Sequence, residues 1–175
     1  MLTVRISPAV WEAAKYRAAR ILGTGIERIE NYTHLNERNR YQNGFVGELV
    51  FRNVLAEQRK RFSYREFFDG KSHEEDFKVY RRWDGRPLKL DIKTNGKPYA
   101  AHLLIPAQQF DRHRHDLYVG VRLLDRQTAG VVGWITRVEL AKLPRRLLRC
   151  ETVSCPYCDL RDLEDLFNNL QNDQT

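Results

Sequence analysis

Residues 88–96, LKLDIKTNG, alternate apolar and polar side chains. A period of two marks a strand packed on one face, and it limits the fold more than any other feature of the chain. Upstream, residues 75–82 (EDFKVYRR) alternate in the same way, and Trp83-Asp84-Gly85-Arg86 between the two is a turn signal. A β-hairpin is expected. With Asp84 and Gly85 as its two turn residues, Asp76 lies opposite Lys93 and one diagonal step from Asp91. Asp76, Asp91 and Lys93 then share one face. Phe77, Val79, Leu90 and Ile92 make the other face, which is apolar. A slip of one residue would part the two acids.

The rest of the chain supplies layers for this hairpin. Ser7 and Pro8 suit the N-cap and first position of a helix carrying Val10, Ala14, Ala18 and Ile21 on one stripe, stopped by Gly23 and Gly25. A second helix is expected over about 40–58, with Phe45, Val46, Leu49, Val50 and Val54 at three- and four-residue spacing. RFSYREFF reads as a strand, and HLLIPAQQFDRH as a strand leading into a helix from Pro106. LYVGVRLL and GVVGWIT are two further strands. Thr136 and Glu139 have capping-box spacing for a short helix after them. A basic linker, a cysteine cluster and a final helix, LRDLEDLFNNL, close the chain. The expected class is α/β or α+β: a central mixed sheet flanked by helices. Residues 1–145 would form the core with its N-terminal helices, and 146–175 a cysteine-containing extension with a helix.

Two carboxylates aimed at one spot repel each other, and a cation removes that penalty. Magnesium takes oxygen ligands and keeps several waters, so Asp76, Asp91 and the backbone carbonyl of Ile92 could hold one side of it. Such an ion polarises a phosphate and acidifies a water. Lys93 beside it could orient the nucleophile and offset the negative charge of a phosphodiester under attack. The alternative is a cross-strand surface ion pair with no chemistry. A third acid, Glu48, sits in GFVGELVFRNVL. Glycine within a helix costs about 1 kcal/mol against alanine, so Gly44 and Gly47 call for close packing of that helix on the sheet. That packing would carry Glu48 to the hairpin. An exposed Glu48–Arg52 pair one helical turn apart is the competing account.

In this order, Glu48 on a helix in a GxxGE setting, Asp76 opening a strand, then Asp91-Ile92-Lys93 followed by a threonine resemble the PD-(D/E)XK nuclease superfamily. The resemblance covers roughly residues 40–136. It implies the restriction-endonuclease-like fold, Asp76 and Asp91 as ligands of Mg²⁺ or Mn²⁺, Glu48 as an accessory acidic ligand and Lys93 as the catalytic lysine. Two departures stand out. Glu75 replaces the proline expected before Asp76, so Asp69, Glu75 or Asp84 compete as the first acid. The helix with Gln108 and Gln109 lacks the tyrosine that follows glutamine in the RecB-like branch.

Cys150, Cys155 and Cys158 in RCETVSCPYCDL include a two-residue spacing that lets both thiolates reach one soft metal. A structural Zn²⁺ would need a fourth ligand, with His102, His113, His115 or an acid as candidates; free thiols are the alternative. An iron–sulfur cluster, carried on flanking cysteines by some nucleases of this kind, fits less well because an isolated upstream cysteine is missing. His113-x-His115 reads as a solvated basic turn, and His73 lies just before the acids.

The formal charge of +7, with arginine outnumbering lysine and basic residues beside aromatics, suits a polyanion. Lys15, Arg17, Arg59, Arg61, Arg81, Arg82, Lys97 and Arg112 are candidate phosphate contacts. The expectation is a Mg²⁺-dependent DNA endonuclease, structure-selective or restriction-type, acting as a homodimer where both strands are cut. A non-catalytic nucleic-acid-binding protein on the same fold is the alternative. The N-terminus has no signal-peptide pattern and no apolar run is long enough to span a membrane, so a cytoplasmic protein of cellular or viral origin is expected.

Overall fold

The computed structural model describes residues 1–23, 33–64, 76–148 and 150–173. The protein is a mixed α+β fold built on a curled, mixed sheet. In chain order come β1 (Leu2–Arg5), α1 (Pro8–Gly23), α2 (Thr33–Glu57), β2 (Phe62–Tyr64), β3 (Phe77–Tyr80) and β4 (Pro87–Asn95). Then follow β5 (His102–Pro106), α3 (Ala107–Arg112), β6 (Leu117–Leu123), β7 (Thr128–Thr136) and α4 (Arg137–Leu140). β8 (Arg145–Leu147), β9 (Glu151–Pro156) and α5 (Leu163–Asn169) complete it. The main sheet has the order β1-β7-β6-β4-β3-β2, and β5-β9-β8 form a second, smaller one. β4 and β6 run parallel; the other paired neighbours run antiparallel.

Two clusters of buried side chains divide along the faces of the main sheet. On one face Leu90, Ile92, Val119 and Val121 meet Phe45, Val46, Leu49 and Val50 of α2, together with Leu166 and Phe167 of α5. On the other, Tyr118 and Ile135 meet Leu103, Ile105 and Val153 of the small sheet and Phe110 of α3. Each fully buried aliphatic or aromatic side chain contributes roughly 1.5–3 kcal/mol. The C-terminal elements join both layers: β9 pairs with β5, and α5 packs into the larger cluster. No helix among the described residues is long and apolar enough to cross a membrane.

The hairpin forms with its expected faces but not its expected register. Phe77 pairs with Leu90 and Tyr80 with Pro87, so Asp76 faces Asp91 rather than Lys93. A two-residue turn of the favoured type needs positive φ at both central residues. Only Gly85 provides it, at φ 66°, since Asp84 is not among the positive-φ residues. The turn widens instead. Asp84 accepts from the backbone N–H of Arg86 at 3.0 Å and takes the Arg81 guanidinium. The shift is two residues, so every side chain keeps its face.

Other expectations divide. The capping box at Thr136 and Glu139 is formed, with the Glu139 side chain accepting from the Thr136 N–H at 3.0 Å. The stretch after Pro144 is not a bare linker: it contributes β8, and much of the cysteine segment is β9. β1 is an additional strand on the far edge. The strand in RFSYREFF is described only as Phe62–Tyr64; Asp69, His73 and Glu75 lie outside the described residues.

Candidate active site

β3 ends one residue short of where β4 begins to matter. Its last ladder bond runs from the Asp76 N–H to the Leu90 carbonyl at 3.2 Å, and beyond it β4 pairs only with β6 among the described residues. Asp76 takes the next position along this edge of β4: its Oδ2 accepts from the Ile92 N–H at 2.6 Å. The carbonyl of a strand residue points to the same edge as its N–H, so the Ile92 carbonyl faces this opening too. Asp91 and Lys93, flanking Ile92, turn to the face opposite α2. They form a close ion pair there, with Lys93 Nζ 2.9 Å from Asp91 Oδ1 and 2.6 Å from Oδ2. Asp91 is only 4% exposed. Its buried Oδ2 has no hydrogen bond of good geometry, although His115 Nδ1 lies 3.6 Å away.

Glu48 comes from α2, and two contacts fix that helix against β4. An ideal Cβ on Gly47 would lie 1.9 Å from Thr94 Oγ1, so only glycine lets the helix approach this closely. Thr94 Oγ1 donates to the Gly44 carbonyl at 3.5 Å. At Gly44 itself a Cβ would meet nothing within 4 Å. Opposite effects follow. Gly44→Ala should raise stability by about 0.5–1 kcal/mol through helix propensity. Gly47→Ala should lower it by about 1–3 kcal/mol through overpacking, a loss that adding Thr94→Ala largely restores. Urea titration of the three variants checks this; equal gains at both glycines would show that Gly47 is not packed on β4.

The Glu48 side chain accepts from Tyr64 Oη at 3.1 Å, and Arg17 donates to the same tyrosine. Burial pushes the Glu48 carboxyl up to about 7, opposed by the Tyr64 bond and the Arg17 charge and reinforced by Asp91. Asp76 is held well above the usual carboxylate range, first by burial and then by repulsion from Glu48 and Asp91. The Glu48 and Asp76 carboxyls are thus both raised in part by the acids beside them. Among the described residues, no three His, Cys, Asp or Glu side chains stand close enough to grip an ion together. Magnesium needs fewer: one or two carboxylates plus waters suffice. The carboxylates of Asp76 and Asp91, which face each other, and the Ile92 carbonyl are all hard oxygen donors, and they fit such an ion.

His115 corrects the reading of its segment as solvated: it is 4% exposed and lies against Asp91, with its ring edge-on to Tyr118 at 5.6 Å. Tyr64 and His115 are the site neighbours that sequence reasoning missed. The parallel β4–β6 pairing offers the one signal for His115, since it brings the start of β6 beside Asp91. The cysteines lie elsewhere. Cys155 is buried in the smaller core, its thiol pushed up to about 11 chiefly by burial, while Cys150 and Cys158 are exposed; all three are free. Gln108 is exposed on α3. Of the candidate phosphate contacts, Arg61 stacks over Tyr80 at 4.5 Å, Arg81 over Trp83 at 4.9 Å, and Lys97 lies 5.9 Å from the Tyr99 ring.

No family model, curated protein or solved structure significantly matches this chain.

Proposed function

We propose that the protein is a Mg²⁺-dependent DNA endonuclease with a PD-(D/E)XK-type site on a restriction-endonuclease-like core. One observation carries this reading: Asp76, Asp91 and Lys93 come together where β3 begins, with the Ile92 carbonyl beside them and both Asp91 carboxylate oxygens turned to the Lys93 amine. Two facing acids next to an amine, Asp91 buried and Asp76 half-buried, are costly as structure alone and useful around a cation. When bound between Asp76 and Asp91, the ion would polarise the phosphate and make a water more acidic. The chain's own residues do the rest. Asp76 and Asp91 position the charge, and Lys93 Nζ stands ready to offset negative charge on the phosphate oxygens. Glu48 adds an acid on the helix side. One such site handles one scissile bond, so cleavage of both strands calls for two copies of the chain.

The test is direct. Purified protein is incubated with supercoiled plasmid and with single-stranded DNA, in Mg²⁺ and in excess chelator. Metal-dependent nicking is the expected result. Tight DNA binding without cleavage in either Mg²⁺ or Mn²⁺ would overturn it in favour of a binding protein on the same fold.

A further inference from the structure

A wide concavity lies away from the acids. It is a cleft of about 1000 Å³ between the start of α1, the first half of α2 and the β6–β7 turn, and Arg5, Lys15 and Arg126 bring positive charge to it. One acid, Glu12, lines it and lies 3.6 Å from Lys15. Arg5 and Arg126 have no carboxylate at ion-pair distance among the described residues. The wall is prebuilt. Trp11 Nε1 donates to the Arg126 carbonyl at 2.7 Å, and the Ile6 N–H to the Gln127 carbonyl at 2.7 Å. Asp125 is occupied in tying the turn, accepting from the N–H groups of Gln127 and Thr128 at 2.6 and 2.7 Å.

Two elements, α2 and the end of β4, connect the walls of the cleft to the acids. A second hollow shares Trp11, Asn43 and Arg126 with it and adds Gly96 and Pro98. Gly96 lies three residues beyond Lys93, about 10 Å along an extended strand. Asn43 lies five residues before Glu48 on α2, about 7–8 Å along the helix. On the loop between these points and β5 stands Tyr99, 77% exposed with Lys97 beside its ring.

We infer that this cleft and Tyr99 hold a single strand of nucleic acid with unpaired bases running to or from the acidic site. Arg5 and Arg126, with no carboxylate partner among the described residues, track the phosphates. An indole, an exposed phenol and amides such as Asn43 and Gln127 suit bases freed from pairing, which a duplex would keep stacked inside. The path towards the acids rests on the proposed nuclease reading; the binding itself does not.

Binding is therefore measured in chelator, where cleavage plays no part, by fluorescence anisotropy with a labelled oligothymidylate of about 20 nucleotides, longer than the usual site size of a single-strand-binding fold. Arg5→Ala with Arg126→Ala should weaken binding roughly tenfold or more and flatten the salt dependence by about 1.4, or ~0.7 for each lost phosphate contact. Tyr99→Ala should weaken it roughly fivefold or more, and Tyr99→Trp should not. Lys142→Ala with Arg146→Ala, on exposed positions away from the cleft, is the control. Losses in the cleft variants no larger than in the control would overturn the inference. So would blunt duplex binding as tightly with the same losses. Absence of metal-dependent cleavage, with these affinity losses intact, would sink the nuclease reading alone.

Discussion

Lys93→Ala is expected to abolish measurable metal-dependent cleavage and, in chelator, to destabilise the protein by about 3–5 kcal/mol. Both effects have one origin. Nζ is 2.6 Å from an Asp91 carboxylate that is almost wholly buried, and the Lys93 side chain is itself only 16% exposed. Removing the amine leaves a buried negative charge without its partner, and desolvation is then no longer offset. Removing both charges with Asp91→Asn and Lys93→Met should cost far less stability than Lys93→Ala alone. The cleavage loss should reach at least about 10²–10³-fold in each case, since charge stabilisation of this kind is worth that much elsewhere. Thermal unfolding in chelator and in Mg²⁺ separates the two effects. The ion should recover part of the stability of Lys93→Ala, because it replaces the missing positive charge, but none of the activity. A Lys93→Ala protein as stable as the parent, and still cutting, would mean that the pair is a surface ornament and the site is elsewhere.

The faces of the hairpin were legible in the sequence because side-chain parity survives any even shift of register. Its true register was not, since it depends on backbone angles at Asp84 and Gly85 that composition does not reveal. The Gly47 contact was legible for a similar reason: a glycine in a helix must be explained, and Thr94 explains it. Strands without a pattern escaped. β8 is exposed along its whole length and is held by backbone bonds to β9. In β9, Thr152, Val153, Ser154 and Cys155 are all buried, so both faces read alike and no alternation remains. β1 is four residues long and mostly exposed. His115 escaped because its burial comes from pairing between strands far apart in the chain, which no local period records.

Glu48 makes the metal-free protein sensitive to pH in a direction opposite to that of most carboxylates. Its carboxyl is pushed from an ordinary 4.5 up to about 7, mainly by burial and then by the nearby Asp91. Below about 4.5 it is protonated in the folded and unfolded chains alike, and the stabilisation is fully present. Between 4.5 and about 7 the folded protein keeps a proton that the unfolded chain releases, so stability falls as pH rises. The whole interval is worth on the order of 3 kcal/mol. Other acids shift the other way, Asp125 and Glu139 among them, so the effect is read as a difference. In chelator, the unfolding free energy of the parent minus that of Glu48→Gln should decline steadily from below 4.5 to above 7. Mg²⁺ favours the ionised acids, so it should shrink this decline and stabilise the parent more at the upper end of the range. A difference that stays flat across the interval in chelator would show that Glu48 is solvated and ionised throughout. The helix would then contribute no acid to the site, and Asp76 and Asp91 would have to hold the ion without it.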